Sequence, residues 1–435
     1  MYIHIVQPSD NIDSIAINYG VTVTSLIQNN GLINPYDLVP GQTIVVLYPE
    51  QVHTVAEGDS LAGIADAYGV SLMQLLRNNS YLSDREYLSP GETIVISYQT
   101  GRQITTNGIA YPYISRDALR KTLPYLTYLS IYNYRVTGQG EIASYYDDSE
   151  VIQMAKEYGT VPLMLVTTLT TQGEPNPEIA YDILTTEEYQ NTFIEDMLDI
   201  IRAKGFYGIN IFYYSMDAAN KEIYENFSLK VSERLISEGY LFFMTINPNI
   251  YGNVDSRIIG AVDYSTISKN VNNIAFLHLI WGTNYGPPAP VISINNVRQF
   301  LNYTVPGVTP GLIDLGIPII GYDWELPFIA GISEANSLTL NAALILADDY
   351  TAEIQFDENS QTPFFTYVRY INDFPVQHIV RFIDARTINS LVSLIPEYGL
   401  NGVGIWNIMI FNEQLWAVII SQYEIIKVIT DSLSG

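Results

Sequence analysis

Cysteine is absent from the 435 residues, which excludes disulfide bonds and thiolate zinc sites and leaves the redox compartment open. Charge is scarce too: 15% of residues are Asp, Glu, Lys or Arg, against roughly 25% in an average domain. Basic residues are the scarcest, 20 Lys plus Arg against 46 Asp plus Glu, for a net charge of −26. Such a balance repels DNA, RNA and anionic lipid, so neither nucleic acid nor a membrane is an expected partner. No apolar run reaches about 18 residues, so no membrane-inserted helix is expected. Met1 leads directly into a patterned β segment without a basic start and apolar stretch, so no secretory leader is expected. HExxH, P-loop and CxxC patterns are missing, and neither a metal nor another cofactor is expected. His278, alone on an apolar strand, reads as a core residue, because metal sites need three or four converging donors.

What is present is a 48% hydrophobic chain with 34 tyrosines, long enough for roughly two to four soluble domains. An uncharged, Tyr-rich surface suits glycans or protein partners, although many of these rings belong in a core.

Residues 3–48 and 52–98 repeat each other. His4-Ile5-Val6 aligns with His53-Thr54-Val55, Tyr19-Gly20-Val21 with Tyr68-Gly69-Val70, Asn29-Asn30 with Asn78-Asn79, and Pro40-Gly41-Gln42-Thr43-Ile44 with Pro90-Gly91-Glu92-Thr93-Ile94. Asn11 or Ser60 can cap a helix whose apolar stripe is Ile12, Ile15, Ala16 and Tyr19 in one copy and Leu61, Ile64, Ala65 and Tyr68 in the other. A glycine then ends the helix, a second helix follows (23–28 and 72–77), and a Pro-Gly turn leads into a closing strand. This βααβ unit resembles the LysM module, with boundaries at 1–49 and 50–99. The resemblance implies binding of N-acetylglucosamine-containing glycans such as peptidoglycan and chitin. It points to Ser9, Asp10, Asn11, Asn30 and Gly31 in the first copy and to Gly58, Asp59, Ser60, Leu61, Asn79 and Ser80 in the second. Ser9 departs from the glycine usual in that family, so the first groove is expected to be tighter. The same Asp, Asn and Ser residues are also ordinary helix caps and turn formers, and that structural reading stays open.

From about Asn107, β-like runs alternate with helical ones. Strands are expected at 108–111, 125–134, 161–168, 208–213, 241–247, 275–281, 315–322 and 402–406, with short linkers at 49–51 and 99–104. Eight such runs with helices between them predict an α/β domain over 104–435, a (β/α)8 TIM barrel. The stretch 331–400 exceeds a β–α connection and contains β runs at 352–356, 364–367 and 379–382, so a small α+β insertion is expected there. Before the fourth strand, Thr185 and Glu188 predict a capping box, and Lys204-Gly205 a helix stop. A closing helix carrying Leu415, Trp416, Val418, Ile419, Ile420, Ile425, Ile426 and Val428 is more apolar than one buried face requires. It is expected to meet either another subunit or residues 1–98.

The strand Gly208-Ile209-Asn210-Ile211-Phe212-Tyr213-Tyr214 resembles the signature strand of glycoside hydrolase family 18, roughly Asp-Gly-hydrophobic-Asp/Asn-hydrophobic-Asp-aromatic-Glu. On that pattern Tyr207 stands for the first Asp, Asn210 is retained, Phe212 replaces the last Asp and Tyr214 replaces the acid Glu. Leu279 falls where the family has a Tyr on a later strand. The family's substrate-assisted chemistry needs the Glu to protonate the leaving oxygen and the Asp to orient the acetamide. A phenol with a pKa of ~10 is a poor acid at neutral pH, so no catalytic residue is assigned and the motif is read as degenerate. Asp217 lies past the strand end, where a misplacement of ~1 Å can cost ~10²-fold. The resemblance implies a sugar groove of Asn210, Tyr214, Trp281, Tyr322, Asp323, Trp324 and Trp406, with core packing the rival for Trp281.

Two LysM copies ahead of such a barrel resemble the spore cortex-lytic N-acetylglucosaminidases of endospore-forming bacteria. The expected function is a non-catalytic glycan-binding or structural protein of the spore coat, cortex or cell surface, made in the mother cell. Two alternatives stay open: an active glycosidase with a relocated acid, and a self-assembling coat or filament subunit without sugar binding.

Overall fold

Each repeat folds as a strand, two helices and a second strand, and glycines set the corners. The computed structural model describes all residues except 86, 171–172, 215, 217–220, 249, 252–257, 260–261, 278–282 and 431–435. In the first module Tyr2–Ile5 pairs antiparallel with Thr43–Val46, and Ile12–Tyr19 and Val23–Asn30 are the helices. In the second, Gln51–Thr54 pairs with Thr93–Ser97 around Leu61–Tyr68 and Leu72–Asn78. Gly20 and Gly69, at φ of 66° and 67°, end the first helix of each module in the left-handed region that a side chain disfavours. Each module has its own core, Ile12, Ile15, Leu26, Ile44 and Val46 in one and Ile64, Met73, Leu75, Ile94 and Ile96 in the other.

The barrel strands are Arg102–Ala110, Tyr128–Val136, Val161–Thr167, Gly208–Tyr213, Leu241–Ile246, Asn273–Phe276, Ile313–Pro318 and Gly402–Trp406. Neighbours pair in parallel, and the first strand joins both the second and the eighth, closing an eight-stranded TIM barrel. The first strand begins at Arg102, inside the stretch read as a linker.

Several local expectations are corrected. The run 315–322 is two strands, Ile313–Pro318 in the barrel and Gly321–Leu326 in a separate sheet. A Cβ on Gly321 would stand 2.7 Å from that of Phe382, so the chain can leave the barrel there only without a side chain. The inserted sheet has five strands in the order Asn336–Leu338, Gly321–Leu326, Phe374–Arg381, Thr362–Ile371, Gln355–Asp357, all antiparallel, and thus begins upstream of residue 331. Helix Leu340–Asp349 packs Ala343 and Ala347 against Phe365, Val380 and Phe382 of this sheet.

The capping box at Thr185 does not form. Asn176 caps an extra helix, Pro177–Thr185, whose last residue donates its hydroxyl to the Tyr181 carbonyl at 2.8 Å. The long helix Glu187–Lys204 follows and stops at Gly205, φ 74°, as expected. The closing helix is also shorter than its apolar run: Glu413–Ile420 is helical, and Tyr423–Ile425 is a strand beside Arg102–Ala110. Trp416 is 2% exposed and stacks on Tyr125 at 4.7 Å. Gln414 is buried and donates to the Thr43 carbonyl at 2.8 Å and to Asn30 Oδ1 at 3.2 Å. The first module therefore covers this helix, and Leu415, Trp416, Val418, Ile419 and Ile420 are buried inside the chain, while Val428 stays exposed. Among the described residues no helix is long and apolar enough to cross a membrane.

Candidate functional site: the barrel mouth and the LysM loops

Inward-facing barrel residues alternate along each strand and so form layers. At the N-terminal end Asp314 Oδ1 accepts from Asn401 Nδ2 at 2.9 Å and from the Thr105 hydroxyl at 3.4 Å. Burial raises the Asp314 pKa from 3.8 to about 7. Two residues beyond Thr105 lies Asn107, in a middle layer. There Asn210 donates to Ser130 at 2.9 Å, Ser130 donates to Asn107 at 3.0 Å, and Thr245 donates to Asn210 Oδ1 at 2.9 Å. The retained Asn210 is thus fully buried and held by neighbours on both sides.

Two residues further the polarity changes. Phe212, 2% exposed, packs with Ile109, Tyr132, Leu165, Leu169 and Leu277 beneath the mouth. Trp406, half-buried at the end of the last strand, lies 6.0 Å from the Phe212 ring and 5.7 Å from Tyr132. Where a catalytic carboxylate would need water and several hydrogen-bond donors, this layer offers, among the described residues, mainly ring faces and aliphatic carbons, with the Tyr132 hydroxyl and the Trp406 indole N–H as polar atoms. A carboxylate placed in it would be driven towards its neutral form. Tyr214 follows at the strand's end, 37% exposed.

The expected groove is only partly assembled. Trp406 and Tyr214 sit at the mouth, Asn210 lies below it, and Leu279, Trp281, His278 and Asp217 fall outside the described residues. Trp324 is 1% exposed, its indole N–H donating to the Gly286 carbonyl at 2.9 Å, so it has no free ring face; Tyr322 is buried beside it. Asp323 alternates to the opposite face of its strand. It accepts from the Tyr367 hydroxyl at 2.8 Å and meets His378 Nδ1 at 3.0 Å, a structural pairing inside the insertion. These corrections share one cause: Gly321–Leu326 belongs to the inserted sheet, whose two faces bury Tyr322 and Trp324 on one side and Asp323 on the other. Sequence reading missed the mouth's other members, Ile109, Tyr111, Tyr132 and Leu277, although the two-residue offset of Ile109 from Asn107 and of Tyr132 from Ser130 was a usable signal. Beside the mouth, a cavity of about 140 Å³ is lined by tyrosines, Asn133 and Arg135.

In the LysM copies most candidate residues have structural partners. Asn11 accepts from Ser14 N–H at 2.8 Å, and Ser60 from Gly63 N–H at 3.1 Å, as helix caps. Asp10 meets His4 Nε2 at 2.8 Å and Asp59 meets His53 Nε2 at 2.8 Å. The Gln7 N–H, ahead of His4, holds the Asp10 carboxyl below its usual range; His53, ahead of the Ala56 N–H, does the same for Asp59. Asn30 and Asn79 clamp the second helix to the closing strand: Val45 N–H donates to Asn30 at 2.7 Å and Val95 N–H to Asn79 at 2.9 Å. Ser9 and Gly58 are exposed at the module tips, and Leu61 packs on its module's core. Gly31 faces the barrel, its Cα covered by the Glu413 carboxyl. Ser80 opens a short helical turn and lines a crevice shared with the first module and the barrel. Among the described residues no three His, Asp or Glu converge as a metal site.

A closed barrel with an inserted sheet after its seventh strand, preceded by two βααβ modules, defines a LysM-bearing protein of the glycosidase barrel class. Residues 116–409 match Glycosyl hydrolases family 18 and residues 4–47 and 53–97 match the LysM domain; the chain belongs to glycosyl hydrolases family 18. It is 32% identical over 429 residues to the cortical fragment-lytic enzyme of Bacillus anthracis, covering 97% of this chain and 98% of that protein. The spore cortex-lytic enzyme SleL of Bacillus cereus superposes with a TM-score of 0.79 at 29% identity, covering 98% of each chain. SleL of Bacillus megaterium QM B1551 gives the same TM-score at 28% identity, over 98% of this chain and 99% of that one.

Proposed function

We propose that this protein binds N-acetylglucosamine-containing glycan of the spore envelope through its LysM modules and does not hydrolyse it. The observation that carries the reading is the apolar layer of Phe212, Tyr132, Leu277 and Trp406 at the place where the family's chemistry needs a carboxylate. General acid–base catalysis is worth ~10²–10⁴-fold, and a phenol, with an ordinary pKa of ~10, is a poor replacement for a Glu acid. The relatives' spore association supports the location, and the LysM match supports the ligand class. The test is incubation of the purified chain with cortex peptidoglycan and chitooligosaccharides, with products read by mass spectrometry. The expected result is retention of glycan without new reducing ends.

A second reading is favoured by one observation, the relatives' own names, which describe lytic enzymes. Under it the acid comes from elsewhere, with Asp217 the nearest candidate in the chain. Steady release of N-acetylglucosamine, abolished by Asp217→Asn, would establish that reading and end the first.

A further inference from the structure

Between the two LysM modules and the closing helix lies a crevice of about 550 Å³, in the size range of small-ligand sites. The first module contributes Thr24, Gln28 and Asn29, the second Ser80 and Tyr81, and the barrel Phe411. Hydroxyls, amides and ring faces together match the two sides of a sugar: polar groups for its hydroxyls, aromatic faces for its C–H surface.

The unusual occupant is Arg77. Its side chain is buried to 6% exposure, and among the described residues its guanidinium makes no hydrogen bond or ion pair. Its backbone carbonyl accepts from the Tyr125 hydroxyl at 2.5 Å, which ties the end of this helix to the barrel. Burial pulls its pKa down to about 10. Glu424, which acts on it through space, is instead bonded by Gln103 at 3.1 Å. Two carboxyl groups also line the crevice, and each is otherwise engaged. Glu92 is held by Arg85 at 2.6 Å, and Glu413 lies against Gly31, where burial raises its pKa and disfavours its charge. A desolvated guanidinium without an anion is costly, and a carboxylate is the planar group it matches in two-point fashion.

We propose that this crevice binds an acidic saccharide, a short amino-sugar chain bearing a carboxylate, with that carboxylate on Arg77. The proposal rests on the glycan reading above for its ligand class. It adds a site built by all three domains, which shares Asn79 and Ser80 with the positions that the LysM resemblance implies in the second module and none with those in the first.

The test compares two disaccharides by calorimetry on the full chain. One is N-acetylglucosaminyl-N-acetylmuramic acid, whose lactyl ether carries a carboxylate; the other is the neutral N,N′-diacetylchitobiose. A charge-assisted hydrogen bond predicts about tenfold tighter binding of the acidic sugar. Arg77→Met, which keeps the length and removes the charge, should bring the two affinities together, and Arg77→Lys should restore part of the preference. Thr24→Trp, on an exposed helix turn, fills the crevice without touching the core and should weaken the acidic sugar. Circular dichroism confirms that each variant folds. Equal affinities in the unaltered chain, a preference surviving Arg77→Met in a folded variant, or a Thr24→Trp variant that binds the acidic sugar normally would each overturn the proposal. Binding of neutral oligomers with no acid preference ends this proposal and leaves the glycan reading standing; no binding of either sugar ends both.

Discussion

Asp314 shows how much one buried group can impose. Its carboxyl sits at the floor of the barrel, fully enclosed, and burial lifts its pKa from 3.8 to about 7 despite hydrogen bonds from Asn401 and Thr105. A carboxyl whose folded-state pKa is raised stabilises the fold fully below its unfolded pKa and loses that contribution as pH rises through the folded value. Between about pH 4 and pH 7 the native chain should therefore lose stability relative to Asp314→Asn, which keeps the shape and cannot ionise. Melting temperatures of the two proteins across this range provide the measurement, and parallel curves would mean Asp314 titrates as in the unfolded chain. Taking the difference between them removes the opposite trend of Asp10, Asp59 and Asp263, whose pKa values are lowered. Phe212 is the residue-scale counterpart at the mouth: buried against Trp406, it occupies with carbon a place where the family resemblance calls for oxygen.

At the scale of elements, the second helix of each LysM module is tied to the closing strand by one amide as well as by the module's core. Asn79 donates to the carbonyls of Leu75 and Val95 at 2.9 and 2.8 Å and accepts from the Val95 N–H at 2.9 Å, joining helix Leu72–Asn78 to strand Thr93–Ser97. Asn79→Ala leaves these backbone groups without their partner, at a cost of about 1–3 kcal/mol. Hydrogen exchange should report it as faster exchange at Val95, with barrel amides such as Ile211 unchanged. Unchanged protection at Val95 would show the clamp to be redundant. The doubled Asn in each repeat was visible in the sequence, but its role was not: an Asn at a helix end serves equally as cap, turn or sugar ligand. Only the strand laid across it, 15 or 16 positions further along the chain, decides for the clamp.

For the whole molecule, the closing helix settles how the domains relate. Gln414 enters the first module, Trp416 stacks on Tyr125, and Gly41 lies so close to the Ile354 carbonyl that no side chain would fit. The insertion and the first module also share a core, with Val39 against Ile354 and Phe365. With its most apolar helix used internally, the protein should scatter light as a single chain over about a hundredfold range of concentration. A mass rising with concentration would show that another surface drives association. Such close docking also places the two modules in a fixed relation, the condition under which a crevice between them can be a site.

The sequence by itself determined the repeat, the two modules and the eight barrel strands, because turn glycines, helix caps and apolar periodicity act over a few residues. It also shows Phe at 212 and Tyr at 214, since identity needs no coordinates. Tertiary structure alone decided which face each residue serves. Tyr322, Asp323 and Trp324 read as rim residues until Gly321 carries them into a separate sheet. The closing helix reads as meeting either a second subunit or residues 1–98, and only the fold decides for the latter, as in the bond from Gln414 to Thr43, 371 positions away. Arg77, in the last turn of helix Leu72–Asn78, is buried where three domains meet around it. Local physics writes a pattern into neighbouring residues; burial is a property of segments distant in the chain, and no short window contains it.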